Sequence, residues 1–124
     1  ARKAGVQQHP GTRATEPIDE VGYAPESDVL LPRFHGLAPT SDTELDRLLR
    51  NERVTTVVVS GVSLNVAIPN TVFDLVNAGY QVVVPADAVL AVPPEYGDVV
   101  LEHTLSLVAT VVDVAALVSA WGPN

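Results

Sequence analysis

The chain has 124 residues, 47% of them hydrophobic and 18% charged, with a formal net charge of −8. That is one domain's length of chain with enough apolar content for a core, and it excludes a disordered protein, which pairs low hydropathy with high net charge. The lack of any cysteine excludes disulfides, thiolate metal sites and thiol catalysis.

Methionine is absent too, so the sequence is read as a piece of a longer protein. Arg2, Lys3, Arg13, Arg33, Arg47, Arg50 and Arg53 supply all the basic side chains, and none follows Val54. Asp74, Asp87, Glu95, Asp98, Glu102 and Asp113 make the second half acidic. Phosphate backbones and anionic membranes call for clustered Lys and Arg, so neither nucleic acid nor membrane is an expected partner. No apolar run approaches a membrane span, and the start is not a signal peptide. A cytoplasmic setting is expected.

Residues 1–40 carry breakers at His9-Pro10-Gly11, Glu16-Pro17, Ala24-Pro25, Leu31-Pro32 and Ala38-Pro39 and read as irregular. Only Asp28–Leu31 reads as a short strand; the segment is either a surface loop or the rim of a site. Order is expected over 41–121. Ser41-Asp42-Thr43-Glu44 has the form of a capping box, and Leu45, Leu48 and Leu49 then recur at helical spacing up to about Asn51. Val54–Ser60 is a β-branched run suited to a buried parallel strand. Val66–Ala78 reads as a helix, with Pro69 in its first turn and Gly79 as its stop. Tyr80–Val84 is a second strand. Pro93-Pro94-Glu95 opens a helix to about Val108, with Tyr96, Val99, Val100, His103 and Leu107 on one stripe, which makes His103 a core histidine. Ala109–Val112 is a third strand, and Asp113 caps a last helix ending at Trp121, a packing residue. This order predicts right-handed crossovers, a parallel sheet and a three-layer α/β/α fold.

In such a sheet, ligands bind beyond the carboxyl ends of the strands. That edge is the junction Ser60-Gly61-Val62-Ser63-Leu64-Asn65-Val66-Ala67. It is either an ordinary strand-to-helix turn with Asn65 as the N-cap, or an anion site built from outward-pointing amides. His9 and His35 have no partner at metal-ligand spacing. No cofactor or metal motif is present. Asp87 reads as a turn-stabilising residue.

The same junction, with Thr71, Gly79-Tyr80-Gln81-Val82-Val83-Val84, Asp87-Ala88 and the upstream Thr43-Glu44-Leu45-Asp46 and Leu49, resembles the isochorismatase-like (cysteine hydrolase) family. That family reads strand, Gly-Val, Ala or Ser, Thr or Leu, Asn, any residue, Cys, helix, and then Gly-Tyr-x-Val-x-Val. The resemblance covers about Asp28 to Trp121. It implies an Asp–Lys–Cys triad whose cysteine position falls on Ala67 and whose lysine position falls on Arg33. It places the family aspartate on a strand before a helix whose tail resembles residues 1–5, so that at least one sheet strand is absent here. It further implies a cis peptide at Val62-Ser63, oxyanion amides at Ser63 and Ala67, and a homo-oligomer.

A methyl group cannot attack a carbonyl, and arginine cannot shuttle a proton near neutral pH. Cysteine-dependent amidase chemistry is therefore excluded. One branch of the family cleaves a vinyl ether, which needs a carboxylic acid and water rather than a thiolate. The expectation is a cysteine-free hydrolase acting on a small carboxylated substrate such as isochorismate, with Phe34, His35, Ser63, Leu64 and Asn65 binding it beside Arg33. The rival is an inactive binding or assembly module on the same fold.

Overall fold

Short β-branched segments with no charged residue build the sheet. The computed structural model describes residues 11–33 and 36–122, and the chain divides into two units, Ala1–Leu30 and Leu31–Asn124. In the second unit, β1 (Thr56–Val58), β3 (Gln81–Pro85) and β5 (Thr110–Val112) form a three-stranded sheet in the order β1-β3-β5. Both pairings are parallel, with Val57 opposite Val82 and Val84 opposite Val111. A separate parallel ribbon joins β2 (Gly61–Val62) to β4 (Val89–Leu90). The α/β fold with a parallel sheet is thus the one the sequence predicts. The ribbon is new, because two-residue strands have no periodicity to read.

Helix α1 (Pro39–Asp42) and α2 (Leu45–Asn51) precede β1, α3 (Ala67–Asn77) connects β2 to β3, and α4 (Pro94–His103) and α5 (Val114–Ala120) flank β5. Helix α3 ends in Gly79 at φ 94°. There the Tyr80 amide donates to the Leu75 carbonyl and the Gly79 amide to that of Val76, each at 3.0 Å. This crossed pair satisfies the last carbonyls and turns the chain into β3, a job for a residue without Cβ. The core gathers Val59, Leu64, Ile68, Val72, Leu75, Tyr80, Val82, Val84, Ala91, Val100 and Leu105. At the far end, Asp113 caps α5 as predicted, its Oδ1 accepting the Ala116 amide at 2.6 Å.

Three local expectations are corrected. The Asp28–Leu31 strand does not form: the Asp28 amide donates to the Ala24 carbonyl at 2.7 Å and its carboxylate accepts the Ala24 amide at 2.8 Å, closing a turn over Pro25. The Ser41–Glu44 capping box is not made. Pro39 starts a helical turn that takes in Ser41, and the N-cap of α2 is Glu44 without a side-chain bond. Thr43 bridges the two helices, its Oγ1 accepting the Leu45 amide at 3.1 Å and donating to the Pro39 carbonyl at 2.6 Å.

The third correction concerns α4. It stops at Thr104, and a 3-10 turn, Leu105–Leu107, follows. Its buried face runs through Gly97 and Val100 to Leu105, whereas Tyr96, Val99 and Leu107 are exposed. His103 is exposed beside Glu102, 3.9 Å away, and is no core histidine. The predicted stripe assumed an unbroken helix and gave a glycine no packing role. A Cβ on Gly97 would sit 3.1 Å from both Ala91 Cβ and Leu64 Cδ2, so its bareness lets α4 approach. Trp121 is likewise exposed.

Candidate active-site junction

The junction between β2 and α3 is a turn held by hydrogen bonds at Ser63, Leu64 and Asn65. The Val62-Ser63 peptide is cis, as the resemblance implies. The Leu64 amide donates to the Leu90 carbonyl at 2.8 Å, and the Ser63 carbonyl accepts the Ile68 amide at 3.0 Å. Ser63 and Ala67 are half-buried, while the Leu64 side chain is in the core at 1% exposure. Leu64 therefore shapes the site from beneath and presents its backbone to the ribbon. Ala67 is the first residue of α3, so its amide has no carbonyl one turn back in the helix.

Asn65 is not the N-cap. That place belongs to Val66, which offers no side-chain bond. The Asn65 carboxamide turns instead to Val92: Nδ2 donates to the Val92 carbonyl at 2.8 Å and Oδ1 accepts the Val92 amide at 2.9 Å. The Val92-Pro93 bond that follows is the second cis peptide.

Arg33 is tied to the first turns of α3 through the Leu37 carbonyl. Its Nη1 donates to the Leu37 carbonyl at 3.0 Å, and Asn70 Nδ2 donates to the same oxygen. Further along, Asp74 Oδ2 accepts the Thr40 amide at 2.7 Å, and Asp42 Oδ2 accepts the Ala38 amide at 3.1 Å. Two side chains one turn apart on α3 thus fasten the strap that carries Arg33. The guanidinium is exposed and keeps donors to spare, since it has five in all. Phe34 and His35, the other two strap residues named from sequence, lie outside the described residues.

Sequence reasoning missed Asn70, Asp74 and Val92. Their partners are 27 to 34 positions away, and no short-range pattern announces bonds of that span. Asp87 was read as a turn residue. Its Oδ1 in fact accepts the Val114 amide at 2.8 Å, so it also holds the start of α5.

Charge is organised differently away from the junction. Asp46 Oδ2 accepts Arg50 Nε at 2.9 Å, and its Oδ1 accepts the Tyr80 hydroxyl at 2.9 Å. Those two bonds hold the Asp46 carboxyl below its usual range. Burial, then the Asp46 bond, pushes the Tyr80 phenol up. The Arg50 guanidinium also lies over the Tyr80 ring, 5.4 Å from its centre. This cluster ties α2 to the start of β3 and is structural.

The isochorismatase domain model matches residues 1–116. The chain belongs to the isochorismatase family. Among solved structures it is similar to an isochorismatase family protein from Desulfovibrio vulgaris, at 26% identity and a TM-score of 0.70 over 89% of this chain and 54% of the other. It is also similar to N-carbamoylsarcosine amidase from Thermoplasma acidophilum, at 29% identity and a TM-score of 0.68 over 83% and 57%. An isochorismatase-like hydrolase from Alkaliphilus metalliredigens matches at 31% identity and a TM-score of 0.62 over 64% and 43%. The chain thus spans roughly half the length of these family members. No functionally curated protein matches it. Among the described residues no helix is long and apolar enough to cross a membrane.

Proposed function

We propose that this family member is a cysteine-free hydrolase acting on a small carboxylated substrate, with isochorismate as the model case. The observation that carries the reading is Arg33 held by a strap fastened to α3, the helix that begins at Ala67. The guanidinium takes the substrate carboxylate as a planar fork donor. The Ser63 and Ala67 amides stabilise a negatively charged oxygen at the helix start.

Vinyl-ether hydrolysis needs an acid and water but no nucleophile from the protein. A carboxylic acid protonates the terminal enol carbon, water adds to the resulting oxocarbenium carbon, and the hemiketal collapses to pyruvate and an alcohol. No bond to the protein forms, so the methyl of Ala67 is no obstacle. The acid is the role that the resemblance gives to the family aspartate. The same reading takes the protein to be a cytoplasmic homo-oligomer, and exposed Val62, Leu90 and Val92 offer it apolar surface.

A second reading, an inactive binding module, is favoured by Ala67 and Arg33 standing where the family motif has cysteine and lysine. Incubation with isochorismate separates the two. Pyruvate release that is lost in Arg33→Ala supports the hydrolase. Isochorismate binding without pyruvate supports the module, and no binding at all overturns both.

A further inference from the structure

We infer that Asn65 is a positioning residue, whose carboxamide extends the β2–β4 ladder by one rung and so fixes the Ser63 and Ala67 amides between them. The inference rests on the preceding reading for what those amides hold, and on the hydrogen bonds alone for how they are held.

The ladder pairs Gly61 with Val89 and Val62 with Leu90, and the Leu64 amide continues it to the Leu90 carbonyl. One residue later the backbone must leave for α3, which begins at Ala67, so it cannot pair with Val92. Asn65 supplies a side-chain amide in place of the missing peptide. Its oxygen accepts from the Val92 N–H and its nitrogen donates to the Val92 carbonyl. A planar group with one acceptor and one donor at this reach is particular to asparagine. Ionised aspartate has no donor, glutamine is one methylene longer, and alanine has neither.

The placement gives the pair its leverage. Asn65 lies two residues after Ser63 and two before Ala67, midway along the turn. Its hydrogen bonds are at the surface, where a net contribution to stability is ordinary. Their particular effect is geometric, since they anchor the middle of the turn to a second strand. They also engage the nitrogen and the oxygen of the carboxamide together, which fixes its plane.

The test uses the full chain labelled with 15N and compares Asn65→Ala, Asn65→Asp and Tyr80→Phe, the last removing a hydrogen bond far from the turn. In Asn65→Ala the Ser63 and Ala67 amide signals should shift and broaden, while Tyr80→Phe leaves them in place. Asn65→Asp should match Asn65→Ala at pH 7, where a carboxylate faces the Val92 carbonyl. It should return toward the parent spectrum recorded at the same pH as acid protonates that group, because a carboxylic acid again offers one acceptor and one donor. A merely destabilising substitution has no such return.

If the parent binds benzoate, Asn65→Ala should weaken binding about tenfold, which is about 1.4 kcal/mol. Unmoved Ser63 and Ala67 signals in Asn65→Ala, no acid return in Asn65→Asp, or unchanged benzoate affinity would each overturn the inference. A parent that does not bind benzoate counts against the proposed function, and the spectra then decide this inference by themselves. If Asn65→Ala does not fold, the pH series of Asn65→Asp carries the same decision.

Discussion

Arg33 and Asn70 donate to one oxygen, the carbonyl of Leu37. Asn70 is three residues beyond Ala67, on the same side of α3 one turn later, so this shared acceptor ties Arg33 to the helix that begins at Ala67. Asn70→Ala removes one of the two donors and leaves the other. The expected loss is about 0.5–1.5 kcal/mol, the net worth of one hydrogen bond. Urea denaturation measures it, and a loss above about 3 kcal/mol would show that the strap does more than this single bond accounts for.

The Asp46 cluster makes stability depend on pH in a fixed direction. Hydrogen bonds from Arg50 and Tyr80 hold the folded carboxyl below the ordinary aspartate value, so the folded state binds this proton less readily than the unfolded one. The contribution is complete above the ordinary value and fades as pH falls through the lower folded one. Asp46→Asn should therefore be less stable than the parent at pH 7, and the gap should narrow below about pH 4. A gap that widens in acid would contradict the assignment.

Gly97 tests the packing of α4 against the junction. A Cβ there meets Ala91 Cβ and Leu64 Cδ2 at 3.1 Å, closer than ordinary van der Waals contact. Gly97→Val should cost about 1–3 kcal/mol by overpacking. Gly97→Ala should cost less, since the better helix propensity of alanine offsets about 1 kcal/mol of strain. Thermal unfolding distinguishes them, and a Gly97→Val protein as stable as its parent would show that α4 does not press on Leu64.

Restoring a thiol should not restore an amidase. Ala67→Cys places sulfur at the start of α3, but a thiolate nucleophile needs a base to take its proton as well as a cation to hold the charge. Arg33 serves only the second need. Nicotinamide should release no ammonia with this variant. A burst of ammonia absent from Ala67→Ser would show that a carboxylate of this chain acts as the base.

What was legible in the sequence was whatever repeats over a few residues. The apolar, β-branched runs at Val54–Ser60 and Tyr80–Val84 indicated the sheet, Gly79 the end of α3, and Asp113 the cap of α5. The ordered motifs from Ser60 to Ala67 pointed to the family. The unpredicted parts depend on distant partners or on a side chain that is absent. Asn65 looked like an N-cap because its sequence neighbourhood does not contain Val92. The stripe through Tyr96, Val99 and His103 has helical spacing, yet α4 buries Gly97, which carries no hydropathy signal at all. The Ser41 box failed for a local reason, Pro39 having begun a helical turn two residues earlier.

The central claim is that Arg33 and the amides of Ser63 and Ala67 form one carboxylate site without a nucleophile. Titration of the 15N-labelled chain with benzoate, observing those two amides and the Arg33 side chain together, tests it most directly. All three signals should move along one binding curve, and Arg33→Ala should abolish the movement of both amides in the same concentration range. Amide signals that move equally well in Arg33→Ala, or that stay still in the parent at saturating benzoate, would contradict it.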